Sequence, residues 1–191
     1  MRRVRSHPRP LIRSKDMHGY TLFDTELGRC GIAWGDRGIA ALELPAADDD
    51  ATRRRLRRTL PDAQESAPPA EVEAAIDAIV GLLAGEPDTL ESVVLDMDDV
   101  PEFHRRVYDV ARAIRPGETL SYGEVAARLG EPGAAQAVGR ALGRNPFPIV
   151  VPCHRVVAAN GALHGFSAPG GIETKRRMLA IEGAGAPTLF D

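Results

Sequence analysis

NPFPIVVPCHRVV, residues Asn145–Val157, contains the most informative group of side chains in this chain. Cys153 stands directly before His154 and Arg155, after an apolar run framed by prolines. A cysteine without a partner is most often a small buried hydrophobic residue. Here, an imidazole and a positive charge beside the thiol favour the thiolate, which is the nucleophilic form. Cys153 is therefore a candidate nucleophile. Direct proton transfer to the neighbouring His154 is not expected, since adjacent side chains rarely face one point; a bridging water or a turn would be needed.

The composition indicates an ordinary globular protein. The chain has 191 residues, of which 43% are hydrophobic and 27% charged, enough for one good-sized domain or two small ones. Its two cysteines, Cys30 and Cys153, lie far apart, which argues against a disulfide scaffold and a structural zinc site and favours a reducing, intracellular setting.

The first residues are basic but lack the continuous apolar stretch of a secretory signal. We expect residues 1–18 to form a partly disordered tail. No run approaches the roughly 20 apolar residues that cross a bilayer, so we expect a soluble protein without membrane association.

Charge is distributed unevenly along the chain. Residues 1–100 hold 13 basic and 19 acidic side chains, a net charge of −6, whereas residues 101–191 hold 11 and 8, a net charge of +3. If the protein binds a polyanion, the second half is expected to do so.

The first half has the pattern of an α/β unit. Short β-favouring runs between Tyr20 and Leu44, separated by glycine turns, predict an antiparallel meander. Residues 51–60 predict a short basic helix, and the apolar spacing from Glu71 predicts a second helix. The segment LESVVLDM, residues 90–97, predicts a closing strand before a linker at residues 98–101.

The second half is predominantly helical. EFHRRVYDVARAI predicts a helix that Arg-Pro-Gly ends, and SYGEVAARLG predicts another, with Ser121 and Glu124 at capping-box spacing and Gly130 at the exit. EPGAAQAVGRALGRN predicts a small-residue helix before a strand IVV. Two short helices joined by a Gly/Pro turn outline a helix-turn-helix; the alternative is that alanine and glycine simply allow close packing in a core.

Three segments together resemble a known family. SYGEVAARLG, AAQAVGRALGRNPFPIVVPCHRVV and GFSAPGGIETKRRMLAIEG are similar to the O6-alkylguanine-DNA alkyltransferases, also called methylated-DNA-protein-cysteine methyltransferases. The close resemblance covers about Phe103 to Gly183. The first hundred residues match in outline, as in LGRCGIAWGDRGI, and the closing TLFD matches too.

The resemblance implies the fold class and the activity. It implies an α/β protein with an N-terminal ribonuclease-H-like domain at 19–97 and a C-terminal winged-helix-like, helix-turn-helix domain at 102–186. That second domain would bind double-stranded DNA, flip out an O6-alkylguanine, with O4-alkylthymine as a further candidate, and move the alkyl group to cysteine. The thioether formed cannot be hydrolysed, so each molecule would react once.

The resemblance also assigns roles at the reacting centre. Carried over by position, Cys153 is the nucleophile and His154 a base acting through water. Glu182 orients His154, and Asn145 supports the active-site turn. Tyr122 turns the phosphate and donates to the base.

The implied DNA and base contacts form two further sets. The DNA-binding set is Gln136, Ala135, Gly139, Arg144, Arg155 and Tyr122. The base pocket set is Val156, Val157, Phe166 and Ser167, within a loop from Gly165 to Gly171. For Arg155 the alternative is a structural anchor that pairs with an internal carboxylate, and His164 is expected at the loop surface.

The chain departs from the family pattern at three places. Gln136 stands where relatives usually have an arginine that fills the space left by the flipped base, and glutamine lacks its charge and planar guanidinium. Phe166 stands in place of a pocket tyrosine, and Ala168 and Pro169 lengthen the loop. We therefore expect a pocket of altered shape that accepts bulkier O6-alkyl groups.

Two other functions are compatible with parts of the sequence. A non-catalytic or weakly catalytic reader of alkylated DNA would flag lesions for other repair, but relatives of that kind replace the cysteine. A cysteine hydrolase would need a distant histidine, and neither His7, His18 nor His104 has a convincing context. Cys30 with His7 and His18 is too small a ligand set for zinc. We expect no metal or cofactor, a monomer, and a cytoplasmic protein that joins the nucleoid when bound to DNA.

Overall fold

The computed structural model describes residues 18–163 and 166–184. The predicted tail falls almost wholly outside these ranges, as do His164 and the closing TLFD. Domain bounds at 19–97 and 102–186 stay predictions.

The N-terminal half is built on a four-stranded sheet. Strands β1 (Gly19–Thr25), β2 (Gly28–Gly35) and β3 (Gly38–Glu43) form the predicted antiparallel meander. A two-residue strand, β4 (Gln64–Glu65), adds in parallel to β1 and gives the order β3-β2-β1-β4.

Two helices flank this sheet. Helix α1 (Asp49–Thr59) buries Thr52 and Leu56 against one face, alongside Tyr20 and Leu22. The approach is close, because a Cβ at Gly31 would lie 2.8 Å from the Leu56 Cδ1 atom. Helix α2 (Ala70–Leu83) packs its apolar side into the core that covers the other face. Both helices agree with the prediction.

The predicted strand at residues 90–97 is wrong. Only a single parallel bridge forms there, between Leu95 and Ile39. Leu90 has a φ of 55°, which an extended strand does not permit. Arg112 donates hydrogen bonds of 3.1 Å each to the carbonyl oxygens of Leu90, Glu91 and Val93. These carbonyl groups therefore bond to a side chain and not to a neighbouring strand.

Where the structure describes it, the C-terminal half contains four α-helices and one small parallel sheet. The helices are α3 (Glu102–Arg112), α4 (Tyr122–Arg128), α5 (Ala135–Gly143) and α6 (Gly171–Ile181). Strand β5 (Leu120–Ser121) pairs with β6 (Val156–Val157). The capping box is present at α4: the Glu124 amide donates to Ser121 Oγ at 3.1 Å, and the Ser121 amide donates to Glu124 Oε2 at 2.6 Å.

The predicted strand IVV is also wrong. Residues 149–151 lie in a turn, and Ile149 has a φ of 77°, in the left-handed region. This conformation is costly for a β-branched residue and persists where the surroundings enforce it. The apolar run is therefore a buried turn whose conformation depends on its packing.

One hydrophobic cluster extends through both halves of the molecule. It joins Ile32, Trp34 and Leu42 of the sheet to Val107 and Val151 of the C-terminal half. A backbone hydrogen bond from the Leu42 amide to the Pro146 carbonyl, 2.9 Å long, ties β3 to the turn before Cys153. Within residues 18–163 and 166–184, no helix has the length and apolar character needed to cross a membrane.

Candidate active site

The turn between α5 and β6 fixes the position of Cys153. The side chain of Asn145 stabilises this turn through two hydrogen bonds. Its Nδ2 donates to the Val151 carbonyl at 2.9 Å, and its Oδ1 accepts from the Phe147 amide at 2.9 Å. The Cys153 amide donates to the Val151 carbonyl at 2.8 Å, and a short 3₁₀ helix, Cys153–Arg155, follows. Asn145 thus connects both ends of the turn that presents the thiol.

Glu182 organises the residues that follow Cys153. Its carboxylate lies at the end of α6, with a side chain that is 1% exposed. His154 Nε2 lies 2.9 Å from Glu182 Oε1, while Arg155 donates from Nε and Nη2 at 2.8 Å each. Arg155 Nη1 also donates to the Ile114 carbonyl at 2.6 Å. Charge-assisted bonds of this kind are about twice as strong as neutral ones.

These contacts determine where the imidazole proton lies. Burial alone would raise the pKa of Glu182, but hydrogen bonds from Arg155 and His154 outweigh it and lower the value to about 2. An ionised carboxylate only accepts, so His154 Nε2 carries the hydrogen. Burial lowers the pKa of His154, which leaves the ring neutral and Nδ1 with a free lone pair. Nδ1 is buried and has no hydrogen-bond partner among the described residues.

The thiol itself is not activated in the resting protein. Burial raises the pKa of Cys153, although a hydrogen bond with Asn145 and the charge of Lys175 partly oppose this. A thiol of this kind is mostly protonated near neutral pH, so it needs a base when it reacts.

A cavity of about 330 Å³ opens beside Cys153, a volume that suits a small molecule or a single base. Six predicted site residues line it: Tyr122, Arg144, Asn145, Cys153, Phe166 and Ser167. Ser167 Oγ donates to the Gly143 carbonyl at 3.0 Å, which ties the loop to the end of α5. Part of the wall comes from the N-terminal half, where Glu43 of β3 and Arg55 and Thr59 of α1 line the cavity.

Tyr122 reaches the cavity from the first turn of α4. The capping box at Ser121 fixes this turn, and burial, together with the nearby Cys153, raises the pKa of the phenol. A phenol that stays protonated can donate a hydrogen bond or a proton.

The structure corrects two of the predicted assignments. Arg155 is 2% exposed and its guanidinium is engaged by Glu182 and Ile114, so the alternative of a structural anchor replaces a DNA contact. Val156 and Val157 are buried in β6, and their side chains do not line the cavity. Of the other predicted DNA residues, Tyr122 is partly buried at the start of α4. The remaining four lie on α5 or at its end, where Gln136 and Arg144 are exposed and Ala135 and Gly139 are partly buried.

Known proteins share this sequence and fold. The family model for the DNA-binding domain of 6-O-methylguanine DNA methyltransferase matches residues 102–184. A methylated-DNA-protein-cysteine methyltransferase from Methanothermobacter thermautotrophicus is 38% identical over 153 residues, covering 80% of this chain and 78% of that protein. The Mycobacterium tuberculosis protein of the same name is 45% identical over 126 residues, covering 64% and 74%. The chain belongs to the methylated-DNA-protein-cysteine methyltransferase family.

Solved structures agree with this family membership. The crystal structure of Mycobacterium tuberculosis O6-methylguanine methyltransferase matches with a TM-score of 0.70 and 35% identity, covering 92% of this chain and 100% of that one. The same organism's OGT in complex with DNA matches with a TM-score of 0.70 and 34% identity, covering 89% and 96%. The predicted family and the predicted α/β fold class, with an N-terminal sheet and a C-terminal helical domain, are confirmed.

Lys175 lies in the site of this methyltransferase, although the sequence analysis did not predict it. Lys175 is 1% exposed; its Nζ donates to the Val156 carbonyl at 2.6 Å and lies 6.0 Å from the centre of the Tyr122 ring. Burial lowers its pKa, and the nearby Cys153 opposes this. The available signal was its place in the GG-x-x-x-K-x-x-x-L-x-x-E spacing, where it lies seven residues before Glu182.

The second cysteine is placed for packing. Cys30 is fully buried in β2, 3.6 Å from Thr25 Oγ1, and burial raises its pKa to about 11 although the Thr25 contact opposes this. His18 lines a different cleft, and His7 lies outside the described residues. Throughout the part of the chain that the structure describes, no three His, Cys, Asp or Glu side chains are grouped as metal ligands.

Proposed function

We propose that this protein repairs alkylated DNA by moving the alkyl group from O6 of guanine to Sγ of Cys153. The observation that carries the proposal is the arrangement at Cys153. The thiol lines a base-sized cavity, and the adjacent imidazole has its proton fixed on the Glu182 side and a free Nδ1 on the other. Cavity, nucleophile and base are the three parts that this reaction needs.

The proton and electron balance of the reaction is simple. His154 Nδ1 takes the thiol proton through a bridging water, and Sγ attacks the alkyl carbon. The carbon–sulfur bond forms as the carbon–oxygen bond breaks, and its electron pair returns to guanine. Tyr122 donates a proton to the leaving base, and the proton held by His154 restores the phenol. In sum, the thiol proton goes to guanine and the alkyl group goes to Cys153.

Glu182 makes His154 a better base without taking its proton. Its negative charge stabilises the imidazolium that forms for an instant, as in other carboxylate–histidine pairs. The double hydrogen bond from Arg155 keeps the carboxylate ionised and fixed in orientation. The reaction consumes the protein, because the unactivated carbon–sulfur bond of an alkyl thioether resists hydrolysis at neutral pH.

The DNA partner is double-stranded DNA that contains O6-alkylguanine, with O4-alkylthymine as a second substrate. A base in a duplex cannot reach Cys153 unless it leaves the stack, so flipping is required. We place the duplex against α5, where Gln136 and Arg144 are exposed. We further propose a monomer that acts in the cytoplasm at the nucleoid and uses no cofactor.

A mass measurement tests the proposal. The protein is incubated with duplex DNA that contains O6-methylguanine, and the Cys153 peptide is examined for one added methyl group. Cys153→Ala is the control, and the Cys30 peptide serves as an internal one because that thiol is buried. An unmodified Cys153 at stoichiometric protein would exclude the proposed reaction.

A second candidate, a reader of alkylated DNA with weak or no transfer, is favoured by one observation. Gln136 is exposed at the start of α5, where it offers hydrogen bonds but no charge to hold an opened duplex. The two functions separate in one experiment, since a reader binds the lesion duplex tightly yet leaves its methyl group on DNA.

A further inference from the structure

Helix α1 carries five arginines, two of which the fold does not use. Arg53 pairs with Glu65 and Asp50, Arg55 with Glu43, and Arg57 donates to the Tyr20 hydroxyl. Arg54 and Arg58 are exposed and make no hydrogen bond or ion pair with the described residues; Arg58 exerts only a longer-range attraction on Glu43.

The positions of these two side chains are unfavourable without a partner. They lie four residues apart, on the same side of α1, and like charges at this spacing destabilise a helix. The acidic side chains at the start of α1 do not relieve them. Asp48 caps the helix, Asp49 pairs with Arg29, and Asp50 pairs with Arg53.

Both arginines line a groove that continues from the active-site cavity. The groove, of about 400 Å³, lies between α1 and the loop at residues 167–169, and none of the described residues that line it is acidic. Its walls and those of the cavity beside Cys153 have four residues in common: Arg55, Ser167, Ala168 and Pro169. The two spaces therefore meet at the rim from which a bound nucleotide would emerge.

We propose that this groove binds the phosphodiester backbone of the substrate strand next to the flipped nucleotide, with Arg54 and Arg58 as the phosphate ligands. This inference rests on the proposed function. A nucleotide in the cavity stays joined to phosphates on both sides, which must leave at the rim. Guanidinium groups suit phosphate because they donate two parallel hydrogen bonds. An acidic protein partner could also bind these two arginines. Only a nucleic acid, however, explains why the groove opens into the cavity.

The N-terminal half thus contributes to DNA binding despite its net negative charge. Three of its arginines, Arg54, Arg55 and Arg58, line the groove beside the loop that borders the base cavity. The reaction at Cys153 does not require a basic helix in this half, and phosphate binding gives helix α1 a function.

The salt dependence of DNA affinity tests the inference. Binding of a duplex with O6-methylguanine is measured between 50 and 200 mM salt for full-length Cys153→Ser, alone and with Arg54→Gln and Arg58→Gln together. Each lost phosphate contact lowers the slope of log affinity against log salt by about 0.9, so the pair is expected to lower it by about 2. Affinity at 150 mM salt should fall about tenfold.

Arg53→Gln is the control, because it removes one arginine from the same helix on the side that faces Glu65, where the lost charge should leave the slope unchanged. Thermal unfolding confirms that all variants are folded. A slope for the double variant equal to that of the control would overturn the inference. Methyl transfer by the wild-type chain at 50 mM salt is measured separately. Transfer with an unchanged slope rejects the groove alone, whereas an arginine-dependent slope without transfer rejects the reaction and keeps the groove.

Discussion

At the scale of single residues, Glu182 links the chemistry of the site to the stability of the fold. One carboxylate fixes the tautomer of His154 and neutralises the buried guanidinium of Arg155. A buried ion pair of this kind is costly to break, because the remaining partner stays charged in a low dielectric.

Glu182→Gln is expected to slow alkyl transfer and to destabilise the fold. Transfer should slow by at least about 100-fold, because the amide can present its NH₂ group to His154 and favour the wrong tautomer. Unfolding free energy should fall by about 3 kcal/mol, since Arg155 loses its counter-charge. Single-turnover kinetics and urea unfolding measure the two effects. Glu173→Gln, at an exposed carboxylate of the same helix, is the control and should change neither quantity.

The low pKa of Glu182 predicts how the stability of the protein depends on pH. The pKa of Glu182 is about 2 in the folded chain against an ordinary 4.5, so the unfolded chain binds this proton more tightly. The stabilisation is complete above about pH 4.5 and is lost as the pH falls towards 2. Urea titrations at several pH values should show this loss in the wild type, and equal acid sensitivity in Glu182→Gln would contradict it.

The thiol of Cys153 is predicted to be protonated in the resting protein. Burial raises its pKa, so labelling by iodoacetamide should increase with pH beyond 9.0, the ordinary value for a thiol. Cys153→Ala gives the contribution of Cys30. A labelling rate that is already level below pH 7 would show a preformed thiolate and contradict the need for His154 as a base.

Lys175→Met tests the residue that sequence reasoning missed. Methionine keeps the aliphatic volume but removes the hydrogen bond to the Val156 carbonyl, which holds β6 beside the thiol. We expect transfer about tenfold slower, the effect of one charged hydrogen bond, without a large loss of stability. Arg176→Met, at the exposed neighbour, is the control. Equal single-turnover rates for the two variants would remove Lys175 from the site.

The residues that sequence could place differ from those it could not. The motif spacing predicts Cys153, His154, Asn145 and Glu182 as one group, and the structure brings these side chains together. The role of Arg155 remained open because adjacency in sequence says nothing about burial. Lysine is rarely buried, so nothing in the sequence indicates that Lys175 packs beside the thiol.

At the scale of elements, sequence periodicity succeeded for the helices and failed at two supposed strands. The helices α1 to α5 have caps or apolar spacing that are visible locally. IVV and LESVVLDM have strand-like composition, but Ile149 and Leu90 adopt positive φ because distant contacts impose it. Tertiary packing overrode local preference at both places.

The loop that borders the cavity should set adduct preference. Ala168 and Pro169 line the cavity, and Thr174 Oγ1 donates to the Pro169 carbonyl at 2.9 Å, which anchors this part of the loop. Deleting both residues should lower the rates for ethyl and butyl adducts relative to methyl by about tenfold, the usual effect of a methylene in a pocket. Single-turnover rates on the three duplexes measure this. An unchanged preference would show that the insertion does not shape the pocket.

At the scale of the whole molecule, the two halves act as one structure. The hydrophobic core is continuous, and the hydrogen bond from Leu42 to Pro146 connects the sheet to the turn that presents Cys153. The active-site cavity has walls from both halves, and the proposed phosphate groove has them too. The sheet and α1 therefore complete the binding surface of the C-terminal half.

In the proposed reaction, Cys153 is both the nucleophile and the final acceptor of the alkyl group, so the protein is consumed. It is tested most directly by titrating a fixed amount of protein with an excess of O6-methylguanine duplex and counting restored guanines and methylated Cys153 together. The expected result is a plateau at one guanine and one methyl group per protein molecule, with none for Cys153→Ala. Restored guanine that keeps rising beyond one per molecule, or that appears without methyl on Cys153, would contradict the claim.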